Sequence, residues 1–253
     1  MFGTVRRLSA YATGKPEDYY RWCAMFGGTK DQLRAATHGD THVAALLAHK
    51  GKTVDVRLAA IPHVSEGTLE GLVNDDDPVI REAVARYGND SIRDRLISDP
   101  VFSVRCAVAR YGNDEQRKKL SGDPEQRVVE AVAIYGSDAQ RQELINHQFV
   151  TVREAVARYG TDDQRWQLIN DQYFSVRAAV ARYGTDNQRW RLIGDKSIHV
   201  MDAIRETGTD VMRVRLGMPQ PWDEKKVTPS TTVEVVASIV GCTVRFLTGK
   251  HKN

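Results

Sequence analysis

Cysteine is scarce in this chain and nowhere clustered: Cys23, Cys106 and Cys242 stand far apart with no CxxC among them. That spacing is poor material for a disulfide framework or a structural zinc site, and it points to reduced thiols in a cytoplasmic protein. No apolar run is long enough to span a bilayer, and no basic stretch followed by an apolar one opens the chain. Neither a membrane segment nor a signal peptide is expected. An excess of one charge is missing too: 36 Lys and Arg face 33 Asp and Glu, a net charge of +3. Such a balance argues against a dedicated polyanion binder, although a folded array can segregate charge by face.

Catalytic signatures are absent. The chain has no Walker A loop, GxGxxG, HExxH or GxSxG, and its histidines are dispersed, with His38, His42, His49 and His63 in the N-terminal part. No catalytic residue, metal site or cofactor is expected, and the protein reads as a non-enzyme.

What the sequence has is period. Tyr87, Tyr111, Tyr135, Tyr159 and Tyr183 stand 24 residues apart, each followed by a glycine. A fixed short period marks a repeat array whose units bury their apolar faces only by stacking. Each unit reads as two short helices. The first is predicted to follow an N-cap aspartate, at Asp90, Asp114, Asp138, Asp162, Asp186 and Asp210. The second is predicted to follow Asp99, Asp123, Asp171 and Asp195, with Pro100 and Pro124 at the first helical position. Val176, Ala179, Val180 and Tyr183 have the spacing of one helical stripe and are placed in the core, facing Leu96, Leu120, Leu144, Leu168, Leu192 and Leu216. Ala85, Ala109, Ala133, Ala157 and Ala181 leave room for close helix approach. The expected fold is all-α, a superhelical α-solenoid: an N-terminal cap and degenerate first unit over 1–39, the repeats over 40–217, and a linker with a capping segment over 218–253. In that last segment Thr231 and Glu234 have capping-box spacing before a helical apolar pattern. A capping helix is preferred there, with a strand pair as the alternative because of the β-branched residues.

The run Asp-Pro-x-x-x-Val-Arg-x-Ala-Val-Ala from Asp99 to Ala109, at a 24-residue step, resembles the variant leucine-rich repeat, a HEAT-like architecture. The resemblance covers roughly residues 40 to 216. It implies a right-handed superhelix of paired helices, one α and one often 3₁₀, and no enzyme. Some members carry an N-terminal iron–sulfur module, for which Cys23 alone supplies too few ligands.

Three arginine rows follow the period. Arg93, Arg117, Arg141, Arg165, Arg189 and Arg213 lie beside the buried face and read as a structural ladder to the nearby Asp or the preceding helix end, with phosphate donation as the sharper alternative. Arg81, Arg105, Arg153 and Arg177, interrupted by Val129, read equally as interrepeat bonds or as an anion-binding groove lining. Arg86, Arg110, Arg158 and Arg182, interrupted by Ile134, read as solvated, with Glu82–Arg86 and Glu154–Arg158 as pairs on one helix face. Units differ most where Trp166 and Trp190 replace Asp94, Lys118 and Gln142, and where Phe149 and Tyr173 replace Val101 and Glu125. With Arg191 and Arg215 these form a candidate partner-binding patch rich in hot-spot types. The function expected is a scaffold binding another protein along an extended groove. The alternatives are nucleic-acid binding through the arginine rows, or a HEAT-like DNA glycosylase using Asp163 beside Trp166 and Trp190.

Overall fold

The computed structural model describes residues 16–217, 237–239 and 242–244. The first stretch is a stack of short helices: α1 (Pro16–Phe26), α2 (Thr29–His38), α3 (Thr41–Lys50), α4 (Val54–Ala60) with a 3₁₀ turn at Ile61–His63, α5 (Glu66–Leu72), α6 (Pro78–Tyr87), α7 (Asp90–Leu96), α8 (Phe102–Tyr111), α9 (Asp114–Leu120), α10 (Gln126–Tyr135), α11 (Asp138–Glu143), α12 (Val150–Tyr159), α13 (Asp162–Leu168), α14 (Phe174–Tyr183), α15 (Asp186–Leu192), α16 (Ile198–Thr207) and α17 (Asp210–Arg215). Odd-numbered helices are the first, or A, helix of a unit and even-numbered helices the second, or B. The pattern thus extends through the degenerate N-terminal units.

Successive B helices pack directly on one another from α6 to α16, whereas each A helix is wedged between the B helices before and after it. Successive A helices have no comparable packing on one another, so the B layer forms the continuous face of the stack. Between the layers runs one continuous core. Val104, Val108 and Ala109 of α8 and their counterparts in α6, α10, α12 and α14 are fully buried in one core with Leu96, Leu120, Leu144, Leu168 and Leu192 of the A helices. Each buried valine or leucine contributes about 1.5–3 kcal/mol. The buried alanines, Ala85 through Ala181, are what let the B helices approach.

Helix starts differ from the expected ones by small steps with clear causes. The A-helix N-caps are Asn89, Asn113, Ser137, Thr161 and Thr185, each accepting from the backbone N–H three residues on. The aspartates that follow are the first helical residues, where a carboxylate meets the positive end of the helix dipole. From α9 to α15 the cap is a reciprocal box, because Gln116, Gln140, Gln164 and Gln188 accept from the cap residue's own N–H. These A helices are α-helical, not 3₁₀.

The B helix α8 starts two residues later than expected, because Asp99 folds into a turn and accepts from the N–H of Val101. Pro100 and Pro124 lie in these turns, outside the helices. Only α6 has the expected arrangement, with Asp77 as cap and Pro78 first.

Every B helix but α4, which runs into the 3₁₀ turn at Ile61, ends on a glycine in ordinary extended conformation, so the need for glycine comes from crowding. A Cβ on Gly112 would lie 2.5 Å from the carbonyl oxygen of Val108 and 2.5 Å from Oε1 of Gln116. The turn is tight because that glutamine folds back over it.

Beyond Gly217 the expected capping helix gives way, in the described residues, to the alternative strand pair: β1 (Ala237–Ile239) and β2 (Cys242–Val244) are antiparallel, with Ile239 opposite Cys242. Their β-branched content favours strand over helix. The proposed Pro-rich linker at 218–222 and the Thr231 cap lie outside the described residues.

Candidate partner-binding groove

Two of the three arginine rows are built into the stack. Arg93 and its counterparts tie the A helix to the end of the B helix before it. Nε of Arg93 donates to the carbonyl of Ala85 at 3.0 Å while Nη1 reaches Asp90 at 3.0 Å. Arg117, Arg165 and Arg189 repeat both bonds, to Ala109, Ala157 and Ala181 and to Asp114, Asp162 and Asp186. Arg141 uses Ala133, Gly136 and Asp138, and Arg213 uses Arg205 and Asp210. The carbonyls so capped are orphans of the B-helix C-terminus, which is where a cation belongs.

Arg81, Arg105, Arg153 and Arg177 are staples between units, which removes the anion-binding alternative read for them. Arg81 donates from Nε and Nη2 to the two carboxylate oxygens of Asp99 at 2.7 and 3.0 Å, and from Nη1 to the carbonyl of Asp75 at 2.7 Å. Arg105–Asp123, Arg153–Asp171 and Arg177–Asp195 repeat this fork, and Arg57–Asp75 begins the series. The arginine side chains are only 8–17% exposed, so almost no donor surface remains for a phosphate. The Arg177 hydrogen bond holds the Asp195 carboxyl below its usual range. For Asp99, burial pushes upward, but the Arg81 fork, the Val101 N–H and both neighbouring arginines together carry it below that range.

Between Arg57 and Arg177 one unit has no staple. Val129 replaces the arginine, and His147 replaces the aspartate that would have answered it. Val129 is fully buried, and Nδ1 of His147 accepts from the N–H of Phe149 at 3.3 Å, filling the turn role of Asp99. Burial, then the Arg153 charge, pulls the His147 pKa below its ordinary value.

The third arginine row lines the exposed face of the B layer, together with the tyrosines. Tyr87, Tyr135, Tyr159 and Tyr183 are 39–43% exposed, so the last position of the predicted core stripe faces solvent. Three of the row's four arginines stack over their own tyrosine and that of the next unit: Arg86 over Tyr87 and Tyr111, Arg110 over Tyr111 and Tyr135, Arg158 over Tyr159 and Tyr183, all within 5.6 Å of the ring centres. Neither Glu82–Arg86 nor Glu154–Arg158 forms an ion pair; Arg182 pairs instead with Glu206 of the next B helix at 2.8 Å. These cation–π contacts contribute about 0.5–1 kcal/mol each at such exposure and fix the guanidinium planes.

Along this rim lie two open concavities at equivalent positions. The larger, about 790 Å³, spans α6, α8 and α10 and includes Phe102, Cys106, Arg127, Glu130 and Ile134; the other spans α12, α14 and α16. Charges in them are mixed: Arg86, Arg110, Arg127, Arg158 and Arg182 against Glu82, Glu130, Glu154, Asp202 and Glu206. Burial, with Asp123 adding to it, pushes the Cys106 thiol up to about 11, so it stays protonated and unreactive at neutral pH. This groove is the feature sequence reading missed. Its signal was the coincidence of a Tyr row and an Arg row at adjacent positions, Arg86-Tyr87 and its repeats.

The tryptophan patch is elsewhere. Trp166 and Trp190, 42% and 39% exposed, sit on α13 and α15 of the A layer, and Arg215 lies over the Trp190 ring at 5.7 Å. Arg191 is exposed on α15. Tyr173 is exposed at the start of α14, with Arg153 over its ring, but Phe149 is half-buried against the core beside His147. Asp163 shares α13 with Trp166 on the A layer, and neither residue lines the two concavities of the B layer. No group of metal-ligating side chains occurs among the described residues, and no described helix is long and apolar enough to cross a membrane.

No protein-family profile and no curated protein matches this sequence. Among solved structures, one described as a leucine-rich repeat variant with a novel repetitive structural motif is 22% identical, covering 87% of this chain and 93% of its own, with a TM-score of 0.62. An engineered protein at 15% identity, covering 78% of this chain and 91% of its own, reaches only 0.21. The two-layer stack described above is thus the fold of the leucine-rich repeat variant, a helical repeat solenoid.

Proposed function

We propose that this chain is a non-enzymatic scaffold that binds another protein along the groove of its B layer. The observation that carries this reading is the rim of stacked tyrosine and arginine above a floor of mixed charge. Tyr and Arg are the residue types that dominate binding energy at protein interfaces, and here they are held rigid before any partner arrives. Glu82, Glu130 and Glu154 in the same concavities would repel a phosphate backbone, which favours protein over nucleic acid. The Trp166–Trp190 patch on the A layer is a separate contact surface of hot-spot composition.

A photo-crosslinking residue placed at Arg110 in the groove, and in a second protein at Trp166, tests the assignment in lysate from the source cell. The expected result is a protein adduct from position 110 that survives nuclease treatment and disappears when Arg86→Ala and Arg158→Ala are introduced beside the crosslinking residue. Adducts from Trp166 alone would move the interface to the A layer, and adducts lost on nuclease treatment would make the partner a nucleic acid.

A further inference from the structure

Resting on the groove as a protein-binding surface, we propose that its occupant is an extended polypeptide segment with an acidic side chain at every third residue, interrupted by an apolar one opposite Ile134. Three observations meet here. Among the described residues Arg86, Arg110 and Arg158 have no carboxylate partner, and each is clamped between two tyrosine rings, so its outward N–H groups await an acceptor. The rim presents one arginine on each of α6, α8 and α12, with the break at α10, and packed helices stand about 8–10 Å apart. A chain in polyproline conformation advances about 9 Å per three-residue turn and returns every third side chain to the same edge, so every third side chain meets a successive unit.

The second row of such a segment faces the floor. There Glu82, Glu130 and Glu154 also have no ion-pair partner among the described residues, and they select basic or neutral side chains. A uniformly acidic chain is therefore rejected, while a segment with acid along one edge and base along the next is matched. At α10 the rim changes character: Ile134 occupies the repeat position that Arg110 and Arg158 hold in the flanking units, beside Tyr135. A carboxylate there would lose water and gain no donor, whereas an apolar side chain would bury against isoleucine and the adjacent ring.

The test uses the full chain and two synthetic fluorescent peptides, read by anisotropy. Both carry aspartate at every third position with lysine preceding each; they differ only at the central position, leucine in one and aspartate in the other. Wild type is expected to bind the leucine peptide about tenfold more tightly, and Ile134→Arg to invert that order. Arg110→Ile, which widens the break instead of closing it, serves as the second variant and should weaken both peptides while keeping the leucine preference. Equal affinity for the two peptides and for a scrambled sequence would overturn the spacing code while leaving groove crosslinking from Arg110 intact. Loss of that crosslink as well would take the protein-binding reading with it. Displacement of the leucine peptide by single-stranded DNA, with steep salt dependence, would assign the groove to nucleic acid.

Discussion

Val129 and His147 stand where neighbouring units place an arginine and the aspartate that answers it, and the two replacements make sense only as a pair. An arginine alone at position 129 would meet an imidazole that burial and Arg153 keep neutral. An aspartate alone at position 147 would face a buried valine. We expect Val129→Arg by itself to cost about 3 kcal/mol or more, as an unanswered buried charge does. Val129→Arg with His147→Asp should recover most of that, giving a coupling of about 1–3 kcal/mol in a double-mutant cycle measured by urea denaturation. An additive cycle would mean that this unit's backbone no longer has the staple geometry of its neighbours.

Among the elements, the turn from B helix to A helix is the most constrained. Its glycine sits under the glutamine that closes the next capping box, and that glutamine also reaches one unit back: Nε2 of Gln116 donates to the carbonyl of Asp90 at 2.8 Å, and Gln140, Gln164 and Gln188 repeat the bond. Gly112→Ala should therefore destabilise by about 1–3 kcal/mol through overpacking, although its backbone conformation suits any residue. Thermal denaturation checks this; an unchanged melting temperature would show that Gln116 can swing aside. Helix number and pairing were legible in the sequence because leucine and valine recur at fixed steps and burial leaves them no choice. Helix starts were less so, since Asn, Ser or Thr beside Asp offers two plausible caps and only the backbone decides between them. The tyrosines were misplaced because a helical stripe ends at the edge of its own burial, and the last apolar position of a ten-residue helix is half out of the stack. The arginine rows were distinguishable only by what lies 18 residues downstream, an aspartate for Arg81 and Arg105 but none for Arg86.

Over the whole molecule, the staples give stability a definite dependence on pH. The carboxyls of Asp75, Asp99 and Asp195 lie below their ordinary range in the folded state. The folded chain thus binds fewer protons than the unfolded one, whose aspartates titrate near about 3.9. The staples' contribution is full above that value and is lost as pH falls through the folded pKa values. Melting temperature should fall steeply below about pH 4 and change far less between pH 5 and 7. Asp99→Asn should lower the neutral-pH value and flatten the acid limb. An acid limb identical to wild type would mean that the Arg81 staple carries no pH-linked stability.

The missing arginine at Ile134 bears on the array in another way. A perfectly periodic surface cannot tell one unit from the next, so a periodic ligand could slide along it by whole steps at no cost and would bind in several degenerate alignments. A single defect abolishes that translational symmetry. It gives an otherwise uniform ruler a zero mark, so that a ligand carrying a matching defect has one registration in which every position agrees.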